Sequence, residues 1–185
     1  YKVDMALGDN STRLQENVSG VQVVRAFARD FDDAVAVKRL GGGLIRLWVS
    51  IADVSHFVRE RSILDREAYK RGNSVYFPAD CLPMLPEQLS NDLCSLKPDV
   101  DRFTMTAEMD VDPAGKVVRR EFYSSVIKSR ARMTYTAIKQ MLVDKDKAVL
   151  KRYERLVPGF QLMEECFARL RAMRLSRGSI DFDLP

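Results

Sequence analysis

Asp112-Pro113-Ala114-Gly115 is the strongest turn signal in the chain, and segments rich in alternating apolar residues stand on both sides of it. Proline presets φ for a turn and glycine accepts the positive φ that closes it. Arg102 to Val111 and Val117 to Ser129 are therefore expected to pair as an antiparallel hairpin. An earlier segment repeats the plan: Asp32 to Leu40 reads as a strand, Gly41-Gly42-Gly43 as a turn, and Leu44 to Ala52 as a mostly apolar strand suited to a sheet interior. Downstream of Tyr135 the pattern is helical. Strands first and helices last point to an α+β fold, with a mixed, largely antiparallel sheet of hairpins packed by C-terminal helices.

The remaining elements follow from local signals. Residues 11–29 are expected to be helical, capped by Ser11 or Thr12, with Leu14, Val18, Val21 and Ala28 at helical spacing. Ser62 to Arg71 has an acidic first turn, a basic last turn and Gly72 as its stop, the charge order that suits a helix dipole. Ser74 to Phe77 reads as a short strand ended by Pro78. Asp80 to Pro98 reads as ordered loop with one helical turn around Glu87 to Leu93. Tyr135 to Val143 and Lys145 to Arg177 read as helices, the second broken at Pro158-Gly159.

With 185 residues, 46 % of them hydrophobic and 30 % charged, the chain is one soluble domain or a large piece of one. It has no apolar run of about 18 residues to cross a membrane, and Tyr1 to Asn10 lacks the plan of a secretory signal. Cys81, Cys94 and Cys166 are widely spaced and odd in number, which suits reduced thiols in a cytoplasmic protein.

Two features carry chemistry. Asp30-Phe31-Asp32-Asp33 sets three carboxylates into four residues at a strand entrance, where like charges repel. A hard divalent cation such as Mg²⁺ relieves that repulsion through oxygen ligands. On the residues alone, an acidic turn and a metal site both remain open. Alternation places Asp30 and Asp32 on one strand face, so Asp33 needs a bend to converge with them. The second feature is basic: Lys116, Arg119, Arg120, Lys128, Arg130, Arg132 and Lys139 stand against the single acid Glu121. Such a stretch is either a solvated face or a surface that tracks phosphates.

The strings ARDFDDAV, RLWVSIADVSHFV, LDREAYKRGNSVYFP, LPMLPEQLSNDLCSLKPDVDR and GSIDFDLP identify the chain from Asp30 to Pro185 with another level of specificity. Together, and in this order, they resemble the N-terminal half of the RNB catalytic domain of the ribonuclease II and ribonuclease R family of exoribonucleases. The resemblance implies processive 3′→5′ hydrolysis of single-stranded RNA to nucleoside 5′-monophosphates with Mg²⁺. Asp30, Asp32 and Asp33 would be metal ligands, Tyr76 would stack on a base, and Arg119, Arg120, Lys128, Arg130 and Arg132 would be auxiliary phosphate contacts. Phe77 and His56 are assigned to packing, Asn91 and Ser95 to ordering of the loop beside the site, and Cys94 to packing. No protein partner is indicated.

The family's fourth acidic position falls on Val24, which cannot ligate a metal. Leu14 to Arg29, LQENVSGVQVVRAFAR, resembles instead the cytoplasmic helix of ABC exporter membrane domains, with a junction near Ala28-Arg29-Asp30. The expected division is thus residues 1–29 of exporter-like character and residues 30–185 of RNB character. A transporter reading of the whole chain fails for want of both a membrane-spanning run and a phosphate-binding glycine loop. An alternative to the enzyme is an RNA-binding fragment made incompetent by Val24 and by the family segments beyond Pro185.

Overall fold

The computed structural model describes residues 23–24, 32–76 and 81–179, with the side chains of Val23, Val24 and Tyr76 excepted. β1 is Val23–Val24, β2 Asp33–Arg39, β3 Ile45–Ala52, β4 Val75–Tyr76, β5 Cys81–Leu82, β6 Asp101–Val111, β7 Val117–Lys128 and β8 Arg132–Met133. α1 is Val54–Phe57, α2 Ile63–Arg71, α3 Tyr135–Leu142, α4 Lys147–Arg152 and α5 Val157–Ser176. Both expected hairpins form, and β2, β3, β6 and β7 make one antiparallel sheet in that order. The α+β expectation therefore holds, with α3, α4 and α5 C-terminal to the sheet and α1 and α2 between β3 and β6.

Two expectations need correction. The helix over residues 11–29 is contradicted at Val23–Val24, whose adjacent β-branched side chains favour extended backbone and which pair in parallel with Arg132 and Met133. The rest of that stretch lies outside the described residues. Pro158 does not break a helix but sits in the first turn of α5, where a missing N–H costs nothing. The chain bends earlier, between Arg152 and Val157.

The two faces of the sheet are built differently. On one, α5 lies across Ile45, Val111, Val37, Leu47 and Val117 through Cys166, Leu162 and Leu170. Beyond the reach of α5 this same face, as the strand register assigns it, exposes Ile51, Phe103, Met105 and Phe122. The opposite face packs Ala34, Ala36, Trp48, Ala52 and Ile127 against Leu89, Cys94 and Leu96 of the loop after β5. The single helical turn of that loop, Leu89–Leu93, has π geometry. Met133, Met141 and Phe160 form a third core among the helices.

A bulge lets β7 serve both faces. The register shifts between Asp110 and Val111, so that Val111 opposes Val117 while Asp110 opposes Arg119. The extra residue, Val118, is exposed. A bulge of this kind resets alternation, putting Val117 under α5 and Arg119 on the other face.

On that other face Glu108, only 7 % exposed, anchors three strands. Its Oε2 accepts hydrogen bonds from Trp48 Nε1 at 2.8 Å and from the Tyr123 hydroxyl at 3.1 Å. Its Oε1 accepts from Arg119 Nη1 at 2.5 Å and lies 2.9 Å from Arg46 Nη1. Arg46 also grips Asp110 with both arms of its fork, at 2.7 and 2.9 Å. Burial pushes the Glu108 carboxyl up, but hydrogen bonds from Arg119 and Trp48 and the charge of Arg46 outweigh it and hold the group below the usual carboxylate range. The Arg46 hydrogen bond does the same for Asp110. Tyr123, buried beside the Glu108 charge, is pushed up to about 12.

Removing Glu108 leaves Arg46, Arg119, Trp48 and Tyr123 without their common acceptor. Glu108→Ala is expected to lower stability by about 3–5 kcal/mol in urea denaturation, the cost of breaking a buried charge network from one side. A second expectation concerns pH. Glu108 and Asp110 titrate lower folded than unfolded, so their stabilisation is fully present above the unfolded carboxylate pKa of about 4 and is lost as pH falls through the folded values. The urea midpoint should fall steeply from pH 5 to 3, and less steeply in Glu108→Gln.

Candidate metal and nucleic-acid site

The acidic cluster lies where the β2–β3 pair meets the loop after β5. Asp33 opens β2 opposite Ile51, and one of its carboxylate oxygens is buried. The Asp32 carbonyl accepts a hydrogen bond from Ala52 N at 2.8 Å, which carries the ladder one residue beyond β2. No bend brings the two together. The backbone is extended at this point, so the two side chains leave on opposite sides. Asp33 shares the face of Ile51, while Asp32 lies on the side of the covering loop. Asp30 is outside the described residues. Among the described residues, no three His, Cys, Asp or Glu side chains converge on one point.

Two residues beside Asp32 were not singled out from the sequence. Asp53 caps α1: its carboxylate accepts from His56 N at 3.2 Å and from the Ser55 hydroxyl at 2.5 Å. Arg102 ties the covering loop to β6 by donating to the Ser95 carbonyl at 2.9 Å and lying 3.4 Å from Asp92. An Asp ahead of a short run containing serine is a capping signal that could have found Asp53. Nothing local marks Arg102, because its partners come from a distant loop. Burial pushes the Cys94 thiol up, and the charges of Asp32 and Asp53 push it further, so the thiol is protonated at neutral pH and packs rather than attacks. His56 stacks on Phe103 with ring centroids 4.1 Å apart and meets Phe57 edge-on, a packing role.

Tyr76 pairs through its backbone with Cys81 in the small β4–β5 sheet. Phe77 lies outside the described residues. The loop that follows is held by Met84 N donating to the Ser74 hydroxyl at 3.0 Å and by Arg71 donating to the Pro83 carbonyl at 3.2 Å.

The basic residues, close in sequence, are far apart in space. β7 runs 12 residues, about 36 Å of extended chain, and divides them between its ends and its faces. Arg119 is committed to Glu108 and to Glu121. Arg120 is exposed on the opposite face. Lys128 lies 3.4 Å from Asp101, at the end of the sheet nearer Asp33. Arg130 is exposed just beyond, and Arg132 is in β8. Lys139 pairs with Asp144 on α3.

Against this geometry the comparisons are consistent. The chain matches the RNB domain family over residues 17–185. Ribonuclease R of Vibrio cholerae is 49 % identical over 156 residues, covering 84 % of this chain and 19 % of that protein. The chain thus spans about a fifth of the length of this curated relative. Among solved structures, Mycoplasma genitalium RNase R in complex with double-stranded RNA superimposes with a TM-score of 0.81 at 34 % identity, covering 88 % of this chain and 28 % of that one. The same protein with ribose-methylated single-stranded RNA gives the same TM-score and identity, covering 25 % of that chain. No helix among the described residues is long and apolar enough to cross a membrane. The match over nearly the whole length, on a sheet that carries the acidic pair at its β2 entrance, makes this chain a member of the RNB domain family.

Proposed function

We propose that this chain is part of a cytoplasmic ribonuclease R-type 3′→5′ exoribonuclease that hydrolyses single-stranded RNA to nucleoside 5′-monophosphates. The observation that carries the reading is the acidic pair Asp32 and Asp33 at the mouth of β2, in a fold that superimposes on RNase R in complex with RNA. The donor set suits Mg²⁺, a hard ion that binds through one or two carboxylates and keeps water and phosphate oxygens as its other ligands. Asp32 would hold it together with Asp30, which alternation puts on the same side, while Asp33 would join them only through a bend of the strand entrance; when bound, the ion acidifies a water and stabilises charge at the scissile phosphate.

The chain's own residues supply the rest. Asp53 fixes the turn at the end of β3, and Arg102 fixes the loop on the side of the sheet where Asp32 lies, so the carboxylates stand on a rigid frame. Tyr76 would offer a face to any base, which suits a nuclease without sequence preference. Arg120 and Arg130, with Arg119, Lys128 and Arg132 where their own partners allow, would meet phosphates. Residues 1–29 are proposed to be a segment of separate, exporter-like character.

One observation favours a second reading. Position 24 is a valine, and its strand β1 runs close to β2, so the neighbourhood of the acidic pair lacks a fourth carboxylate from this direction. On this reading the chain binds RNA with little turnover.

The two readings separate in one assay. With Mg²⁺ and 3′-labelled single-stranded RNA, the chain is expected to bind RNA and release little mononucleotide; robust release that stops in EDTA would establish the enzyme and dismiss the importance of Val24. Val24→Asp is expected to tighten Mg²⁺ binding in calorimetry by about tenfold, the scale of one added unit charge near a cation at the protein surface. Unchanged affinity would remove position 24 from the site. Tyr76→Ala is expected to weaken RNA binding by about 1–3 kcal/mol, the contribution of one stacked base, as read by fluorescence anisotropy.

A further inference from the structure

The end of the sheet far from Asp33 holds a cationic groove that the proposed catalytic site does not use. Its walls are the β6–β7 turn and the C-terminal half of α5. The turn is closed by Gly115 N donating to the Asp112 carbonyl at 3.0 Å and by Lys116 N donating to the Asp112 carboxylate at 2.9 Å. Gly115 has φ +80°, and a Cβ there would stand 2.1 Å from the Arg169 carbonyl oxygen and 3.1 Å from Met173 Cβ. Only glycine lets the turn lie directly on the helix. Arg169 then clamps the helix to the first hairpin by donating to the Gly43 carbonyl at 2.7 Å and to Glu165 at 2.6 Å, while Glu165 also pairs with Arg39. The groove is therefore a built feature held from three sides.

It encloses about 710 Å³. Lys116 and Arg120 come from the hairpin and Arg174 and Arg177 from the helix, with Leu170 and Met173 as an apolar floor. Among the described residues, no Asp or Glu lines it. Cations in the last turn of a helix are explained by the helix dipole, but that accounts for Arg174 and Arg177 alone and not for the two on the facing wall. Three of the four are arginines, whose planar forks match phosphate oxygens in pairs.

We infer that this groove binds the phosphodiester backbone of single-stranded RNA upstream of the 3′ end. The inference rests on the RNA-degrading reading above and adds a second contact site to it. Strand register supports the connection. Arg120 and Phe122 occupy the same face of β7, the face on which Asp33 and Ile51 also lie. Phe122 is 70 % exposed, an aromatic platform between the groove and the acids of the kind on which bases stack. From Ile51, opposite Asp33, to Ile45, beneath α5, is about 20 Å along β3. An RNA with its 3′ end at Asp33 reaches the groove only after several nucleotides, so the site discriminates long strands from short ones.

The test is RNA binding by the whole chain as a function of salt, using oligoadenylate of about 15 nucleotides and a trinucleotide. Each phosphate contact on a single strand contributes about 0.7 to the slope of log affinity against log salt. Arg174→Gln/Arg177→Gln should lower that slope by about 1.4 for the long oligomer and leave trinucleotide binding unchanged. Lys116→Gln, on the opposite wall, should lower it by about 0.7, which keeps the test decisive if the double variant folds poorly. Slopes unchanged in both variants, with wild-type binding intact, would remove the groove and leave the family reading standing. Absence of RNA binding by the wild type would overturn both. Polyglutamate competing as well as polyadenylate of equal charge would assign the groove to an acidic peptide and overturn its assignment to RNA.

Discussion

The hydrogen-bonded charge on Glu108 is the interaction on which the sheet depends. One carboxylate accepts from Trp48 and pairs with the charge of Arg46 on β3, and accepts from Arg119 and Tyr123 on β7, while sitting on β6 between them. A charge this deeply buried is tolerable only when its oxygens are fully satisfied. Slipping any one of the three strands by one residue turns its side chains to the other face and leaves the charge exposed to an apolar environment. The network therefore selects one register among several that backbone pairing alone would allow. Ser50, Thr104, Thr106 and Ser125 extend the same logic toward the acidic end, where a buried hydroxyl ladder with contacts of 2.6 to 2.7 Å joins the same three strands.

A fixed register gives the sheet two chemically different ends. One carries Asp33, with Asp32 and Asp53 beside it. The other carries the glycine turns, α5 and the arginines around them. The strands set the separation of Asp33 from the groove, and each end carries its own ion pairs, Lys128 with Asp101 at one and Arg39 with Glu165 at the other. On the proposed reading, carboxylates at one end of a rigid sheet and arginines at the other would let it hold a polyanion while presenting its terminus to a metal. The bulge at Asp110 and Val111 is part of this division. Without it, Arg119 and Val117 would share one face, and either the Glu108 network or the seat of α5 would be lost.

Much of this was legible in the sequence because it is written locally. The hairpins follow from Asp112-Pro113-Ala114-Gly115 and from Gly41-Gly42-Gly43, and α2 from the Ser62 cap and its charge order; the structure places each within a residue or two of the expected bounds. What sequence reading missed is non-local. Val23–Val24 become strand because Arg132 and Met133, over a hundred residues away, offer them a partner. The basic stretch is contiguous in sequence but not in space, because an extended strand disperses its residues along its length and over both faces. Arg174 and Arg177 are distant from Lys116 in sequence and meet it only because Gly115 lets the turn touch α5.

On the proposed reading, in which position 24 would belong to the metal site, the valine there has a physical meaning apart from catalysis. Carboxylates gathered at a strand entrance raise the free energy of the metal-free fold by mutual repulsion, and each one removed lowers that cost. A chain with Val24 in place of an acid is under less electrostatic strain without a cation and gains less when one binds. Stability without metal and affinity for metal therefore move in opposite directions at this position. The valine also pairs readily as a strand residue beside Met133, so the same side chain that weakens the proposed metal site suits the pairing that holds β1 against β8. At position 24 the fold and the chemistry ask for different residues, and this chain carries the one the fold prefers.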